Sequence, residues 1–218
     1  MALYKYLPEP FATAFVERGE VLFRSLSYFR KIEHAARGDG LEGIHLDAPD
    51  DPPTLHNLTT GVAIVDNFRM LNSVDQERVF AFCCSREFTP GLFQAFNCET
   101  CVVIEDPALF FLQCKIAAKK AASVARPGLL HRPVEYFAPN RESPLPVRDP
   151  RSIPFLKHEL FRSQAEYRAV FGLPGGLTLR SRIALPSFTM DAEIAAAQTH
   201  ERLLRLGDLR GFAKIVSR

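Results

Sequence analysis

Two short apolar runs, Arg78 to Cys84 and Thr100 to Glu105, constrain the fold more than any other part of this chain. Both are rich in β-branched, aromatic or cysteine side chains, and they read as central strands. Leu3 to Leu7 and Glu20 to Arg24 read as two further strands, with a helix over Phe11 to Arg18 between them that Gly19 stops. Ser25 to Ala36 opens on a capping-type serine and reads as helix or turn, and Gly38 to Pro53 reads as a loop. The run Leu109 to Leu112 leads into a helix towards Lys120. Leu129 to Phe137 reads as a strand, Pro139 to Pro154 as a proline-rich connection, and Pro154 to Ser163 as a short helix. Glu166 to Phe171 and Ser181 to Leu185 read as the last strands, and Asp191 to Leu206 as the best helix, stopped by Gly207. No repeat and no interdomain linker is visible. The pattern is that of a single α+β domain spanning residues 1–218.

Composition narrows the function classes. An apolar share of 47% supplies an ample core, and a net charge of +2 is too small to argue for nucleic acid or an anionic membrane. No apolar run approaches the ~18 residues of a spanning helix. The N-terminus lacks a basic-then-apolar signal pattern, so the chain is expected to be cytoplasmic with no membrane partner. Five cysteines without an export signal argue against a disulfide framework. Cys98 and Cys101 have zinc-knuckle spacing that Cys83 and Cys84 would complete; the competing reading is small buried thiols in strands. The histidines show no metal spacing, and His34 and His45 read as solvated or capping side chains. Gly-x-Gly-x-x-Gly, a phosphate loop and Gly-x-Ser-x-Gly are absent. Lys115, Lys119 and Lys120 form a small basic cluster, a solvated face or a phosphate contact.

The segment from Lys157 to Arg168 carries the chemistry. In an extended chain Gln164 and Glu166 project to one side, placing a carboxylate beside an amide. That pair suits a reaction that develops positive charge on a sugar carbon. The competing readings are an ion pair between Glu166 and Arg168 on a solvated strand face, or an Arg162–Glu166 pair on a helix.

The order of short motifs resembles a bacterial family of unknown function, number 2971. The resemblance rests on Tyr4-Lys5-Tyr6, on Leu22-Phe23-Arg24-Ser25, on Gly38 to Gly43 and on Val79 to Ser85. Lys157, Phe161, Gln164, Glu166, Tyr167 and Arg168 match its closing motif. Gly40 stands where that family has a loop proline, and Gln164 where it has its first acid. The layout in turn looks like the ADP-ribosyltransferase fold, which implies a split mixed or antiparallel sheet with flanking helices and NAD as a substrate. The resemblance puts Lys5, or Tyr4 and Tyr6, at the first-strand position that an Arg or His holds in such enzymes. It puts Arg24, Ser25 and Ser27 at the second motif and Tyr28 and Phe29 against nicotinamide. Glu166 becomes the catalytic glutamate, with Gln164 orienting the acceptor and Arg168 on the cofactor side.

Chemistry gives these residues matching roles. Glu166 would hold a ribose hydroxyl and stabilise the developing cation, while Lys5 and Arg24 would neutralise the pyrophosphate. Loss of Glu166 is then expected to abolish turnover and leave the fold intact. The implied function is transfer of ADP-ribose to a protein or nucleic acid by a toxin, an effector or a phage-related factor. The alternatives are a degenerate member of the fold that only binds a partner, as the missing first-strand Arg or His suggests, and a nucleic-acid-binding defence protein. Each residue also has a plain structural use. Tyr4 and Tyr6 can pack an edge strand, Ser25 and Ser27 can cap a helix, and Asp39 and Glu42 can serve a turn.

Overall fold

The run Val79–Ser85 is a strand buried at every position but Cys83, and the other elements are arranged on it. A computed structural model describes residues 1–32, 40–47, 54–65, 68–121, 123–138, 141, 143–184 and 191–218. The first elements are β1 (Leu3–Leu7), α1 (Glu9–Arg18), β2 (Glu20–Ser25) and α2 (Leu26–Lys31). Short strands follow: β3 (Ile44–Asp47), β4 (Leu55–His56), β5 (Ala63–Val65) and β6 (Arg69–Ser73). Then come β7 (Val79–Ser85), α3 (Pro90–Phe96), β8 (Thr100–Ile104) and α4 (Pro107–Ala121). Next are β9 (Leu130–Pro133), β10 (Glu135–Phe137), β11 (Leu156–His158) and β12 (Glu166–Gly172). The chain closes with β13 (Arg180–Ala184), α5 (Asp191–Ala196), β14 (Glu201–Arg205) and β15 (Ala213–Ser217).

On one side β7 pairs along its whole length with β12, from Ser85 opposite Glu166 to Val79 opposite Gly172, and β12 carries β9. On its other side the pairing divides. Arg24 and Ser25 of β2 lie opposite Ala81 and Phe80, whereas Tyr4 of β1 lies opposite Ser85. Two leaves therefore leave the same side of β7: β2 with β14, and β1 with β8 and β15. Every pairing in this sheet is antiparallel. A three-stranded sheet (β13, β6, β3), a parallel pair (β10, β11) and an antiparallel pair (β4, β5) complete a mixed α+β architecture.

Phenylalanines fill one face of the sheet. Phe23, Phe80, Phe82 and Phe171 pack there against Phe15 of α1 and Phe110 and Phe111 of α4, all buried. Each such side chain contributes about 1.5–3 kcal/mol of transfer free energy. On the other face Val79, Ala81 and Val170 pack against Ile153 and Phe155, while Tyr6 and Cys101 pack under α3. No helix among the described residues is long and apolar enough to cross a membrane.

Several expected elements differ. The helix expected over Asp191 to Leu206 is α5 followed by the strand β14, so Leu204 enters the core while Leu203 stays exposed. Two serines take the intervening chain out of the helix. Ser27 Oγ donates to the Gln198 carbonyl, and Ser25 Oγ accepts from the His200 amide. Pairing with β2 then outweighs the alanine-rich propensity. The strand expected over Leu129 to Phe137 breaks at Val134, whose amide donates to the Glu166 carbonyl. The helix expected over Pro154 to Ser163 is two 3₁₀ turns flanking β11. The loop expected over Gly38 to Pro53 contains β3, while His34, Gly38 and Asp39 lie outside the described residues.

Gly19 tests this packing. It has φ of +61°, and a Cβ there would meet the Gly207 carbonyl oxygen at 2.2 Å. Gly19→Ala is expected to lose roughly 2 kcal/mol or more in urea denaturation, from left-handed strain plus the backbone clash. Gly211→Ala, with no atom within 4 Å of its new Cβ, should stay within about 0.5 kcal/mol of the parent.

Candidate functional site

Gln164 and Glu166 do meet, but not by strand alternation. Gln164 ends a 3₁₀ turn, Ala165 adopts a left-handed conformation (φ +43°), and Glu166 begins β12. A non-glycine residue in that region stores about 1–2 kcal/mol, which the surroundings must impose. They do so with three hydrogen bonds: Ser85 Oγ to the Gln164 carbonyl (2.7 Å), the Arg86 amide to the Ala165 carbonyl (2.8 Å), and the Glu166 amide to Tyr136 Oη (2.8 Å). The bend brings both side chains onto Lys157, whose Nζ donates to Gln164 Oε1 (2.9 Å) and Glu166 Oε2 (2.8 Å).

Arg168 joins this cluster from below. Its Nε donates to Glu166 Oε1 (2.5 Å) and its Nη2 to Glu166 Oε2 (3.3 Å). It also grips Glu42 in a two-pronged pair, with Nη2 at 2.8 Å from Oε2 and Nη1 on Oε1, and Nη1 donates to the Pro154 carbonyl (2.6 Å). Arg168 is 0% exposed, Glu42 1%, and Lys157 and Glu166 each 4%. The ion pair expected on a solvated face is thus a buried four-charge cluster, with two cations matching two anions.

Burial alone would raise the Glu166 carboxyl, but Arg168 and Lys157 outweigh it and hold the group well below the usual carboxylate range. Burial would likewise lower Lys157, yet Glu166 raises it. Glu166 is therefore a fixed anion, not a proton carrier. Arg168 donates to Glu42, Glu166 and the Pro154 carbonyl, so it positions Glu166 at the back of the cleft that both residues line.

The gap between the two leaves is a cleft of about 620 Å³, floored by β7 and backed by Lys157, Gln164 and Glu166. Tyr4, Lys5 and Tyr6 line one wall, and Arg24, Tyr28 and Phe29 the other. Lys5 Nζ donates to the Cys83 carbonyl (2.7 Å) in the stretch of β7 that neither leaf covers, and it rests over the Phe82 ring. Tyr6 Oη donates to the Glu87 carbonyl and accepts from the Thr89 amide; burial pushes its pKa up to about 12. Arg24 lies 3.9 Å over the Tyr28 ring and pairs with Glu201 at 3.1 Å, while Tyr28 meets Phe29 edge-on. Ser25 and Ser27 are fully buried, and their hydroxyls hold the chain at Gln198 and His200. They shape the wall without facing the cleft.

Lys157, Glu42, Ser85 and Tyr136 complete the site and were not singled out as site residues by their chemistry. A lone lysine closing the apolar run Ile153 to Leu156 was the available signal for Lys157. The four cysteines with zinc-like spacing do not converge. Cys83 and Cys84 face opposite sides of β7, and Cys98 and Cys101 lie under α3. Burial raises Cys83 and pushes Cys84 and Cys101 up to about 12, so all three hold thiols. Among the described residues no group of three or more His, Cys, Asp and Glu side chains could hold a metal ion. His45 is buried against Phe137 and is not the solvated or capping group expected. No family model, curated protein or solved structure matches the chain.

The cluster changes what loss of Glu166 should do. Removing its charge leaves two buried cations, Lys157 and Arg168, to share the single carboxylate of Glu42, so Glu166→Ala is expected to lose about 3–5 kcal/mol of stability as well as any turnover. Glu166→Gln keeps the shape and isolates the charge. Because the folded-state pKa of Glu166 is depressed, its stabilisation is complete above the ordinary value of 4.5 and fades as pH falls towards the lowered value. In urea titrations from pH 7 to pH 3, the advantage of wild type over Glu166→Gln should hold to about pH 4.5 and then shrink. A constant advantage down to pH 3 would show that the carboxylate charge does not support the fold.

Proposed function

We propose that the chain is an ADP-ribosyltransferase-like protein that binds NAD in the cleft and transfers its ADP-ribose to a protein or nucleic-acid acceptor. The observation that carries this reading is the divergence of β1 and β2 from one side of β7, with an ionised Glu166 at the back of the resulting cleft. In the reaction the bond between nicotinamide and ribose breaks, neutral nicotinamide leaves, and an acceptor nucleophile bonds to the ribose carbon and gives up a proton. The ribose carries positive charge at the transition state, where a fixed carboxylate lowers the barrier. A carboxylate accepts about four hydrogen bonds. Lys157 and Arg168 place three on Glu166, one on Oε1 and two on Oε2, and the fourth comes from the Cys83 thiol, a weak donor that a ribose hydroxyl would replace. Arg24, fixed over Tyr28, supplies positive charge for the pyrophosphate.

One observation favours binding without turnover. The charge of Glu166 is matched by Lys157 and Arg168, and the first-strand cation Lys5 is committed to a backbone carbonyl. Nicotinamide release and NAD calorimetry separate the two readings. For an enzyme, wild type releases nicotinamide, Glu166→Gln releases at least about 100-fold less, and Arg24→Gln weakens NAD binding about tenfold. NAD binding with no release, tested with protein and nucleic-acid acceptors added, would identify a binding protein. Absence of NAD binding by folded wild type would sink both.

A further inference from the structure

A second cavity, of about 220 Å³, lies at the edge strand β9 beneath residues 149–155, and its lining includes Arg132, Asp149, Arg151, Ser152 and Phe155. Arg132 stands directly opposite Arg168 in the register of β9 and β12, so the two arginines share a face. Opposed residues of an antiparallel pair have Cβ atoms about 4.5–5.5 Å apart, and like charges there repel. Arg168 has Glu42 and Glu166 to match it. Among the described residues no carboxylate forms an ion pair with Arg132. Its Nε is shielded from water and has no hydrogen-bond acceptor among the described residues. Its guanidinium carbon lies over the Phe155 ring, 4.4 Å from the ring centre.

The acids nearby do not fill this role. Asp149 is gripped by Arg151 through Nε (2.8 and 3.1 Å) and Nη2 (2.8 Å), and Glu135 is exposed. Two arginines against one matched aspartate leave the cavity with one excess positive charge and a buried donor in need of an acceptor. A buried N–H without an acceptor costs about 1–3 kcal/mol, and a planar guanidinium favours oxyanions. The volume admits one or two phosphate groups but falls below the roughly 300 Å³ at which sites for larger ligands begin.

We propose that this cavity binds a small oxyanion, a mono- or diphosphate group, between Arg132 and Arg151. The site is separate from the cleft but linked to it, because Pro154 accepts from Arg168 while the next residue, Phe155, carries Arg132.

Calorimetric titration of the whole chain with inorganic phosphate, and separately with pyrophosphate, tests this. Wild type should bind one equivalent of at least one of them at low ionic strength. Arg132→Gln and Arg151→Gln should each weaken that binding at least about tenfold, and Arg24→Gln in the cleft should leave it unchanged. The Arg151 side chain is 56% exposed, so that variant keeps the test readable if Arg132→Gln does not fold. No saturable binding by wild type overturns the proposal. So does binding that survives Arg151→Gln, or binding that is lost in Arg24→Gln, which would put the anion in the cleft. None of these outcomes depends on whether NAD is cleaved.

Discussion

Arg168 sits fully buried in the sheet with two carboxylates around it, and much of the structure is needed to keep it there. Glu42 comes from the turn before β3, Glu166 from the head of β12, on which Arg168 itself lies, and the Pro154 carbonyl from the 3₁₀ turn that precedes β11. A turn 126 residues away and a 3₁₀ turn 14 residues away are thereby tied to one guanidinium. An isolated charge at that depth would be prohibitive, whereas a charge with every donor engaged is tolerable. The polar cluster specifies where the surrounding loops lie, in a region where apolar packing alone would allow them to slide.

The cleft follows from how β7 shares its hydrogen bonds. One side is saturated by β12, and the other is divided between two strands that each take only one end. The middle carbonyl at Cys83, in the stretch that neither strand covers, accepts instead from the ammonium of Lys5. A lysine in this place keeps the sheet open without leaving a buried acceptor unpaired. The same ammonium lies 4.7 Å from the centre of the Phe82 ring, so the aromatic layer also supports its charge.

The strands with continuous apolar content were legible in the sequence, because β7 and β8 are buried on both faces and need no partner information to be recognised. Glu166 and Gln164 were legible as a pair from their spacing, although the cause of their convergence was not. A left-handed alanine leaves no mark in composition, since only the tertiary hydrogen bonds around Ala165 impose it. β14 was misread for a related reason. Its leucines and arginines suit a helix, and the decision is made by Ser25 and Ser27, more than 170 residues earlier. Glu42 looked like a turn residue because its partner lies 126 positions away. Local patterns carry periodicity, whereas charge matching in an interior is a long-range property.

β1, α1 and β2 are consecutive, so the two walls of the cleft belong to one uninterrupted stretch of chain. Strands that leave the same side of β7 and are joined by a single helix can part no further than that helix spans. α1 has ten residues, an axis of about 15 Å at 1.5 Å per residue. Gly19 ends it in a turn that leaves no space for a side chain. The helix therefore sets an upper limit on how far the walls can separate. Adding or removing one turn would change the span by about 5.4 Å, roughly the distance between neighbouring strands. The length of α1 thus bounds the width of an opening that its own residues Phe11, Ala14 and Phe15 help to line.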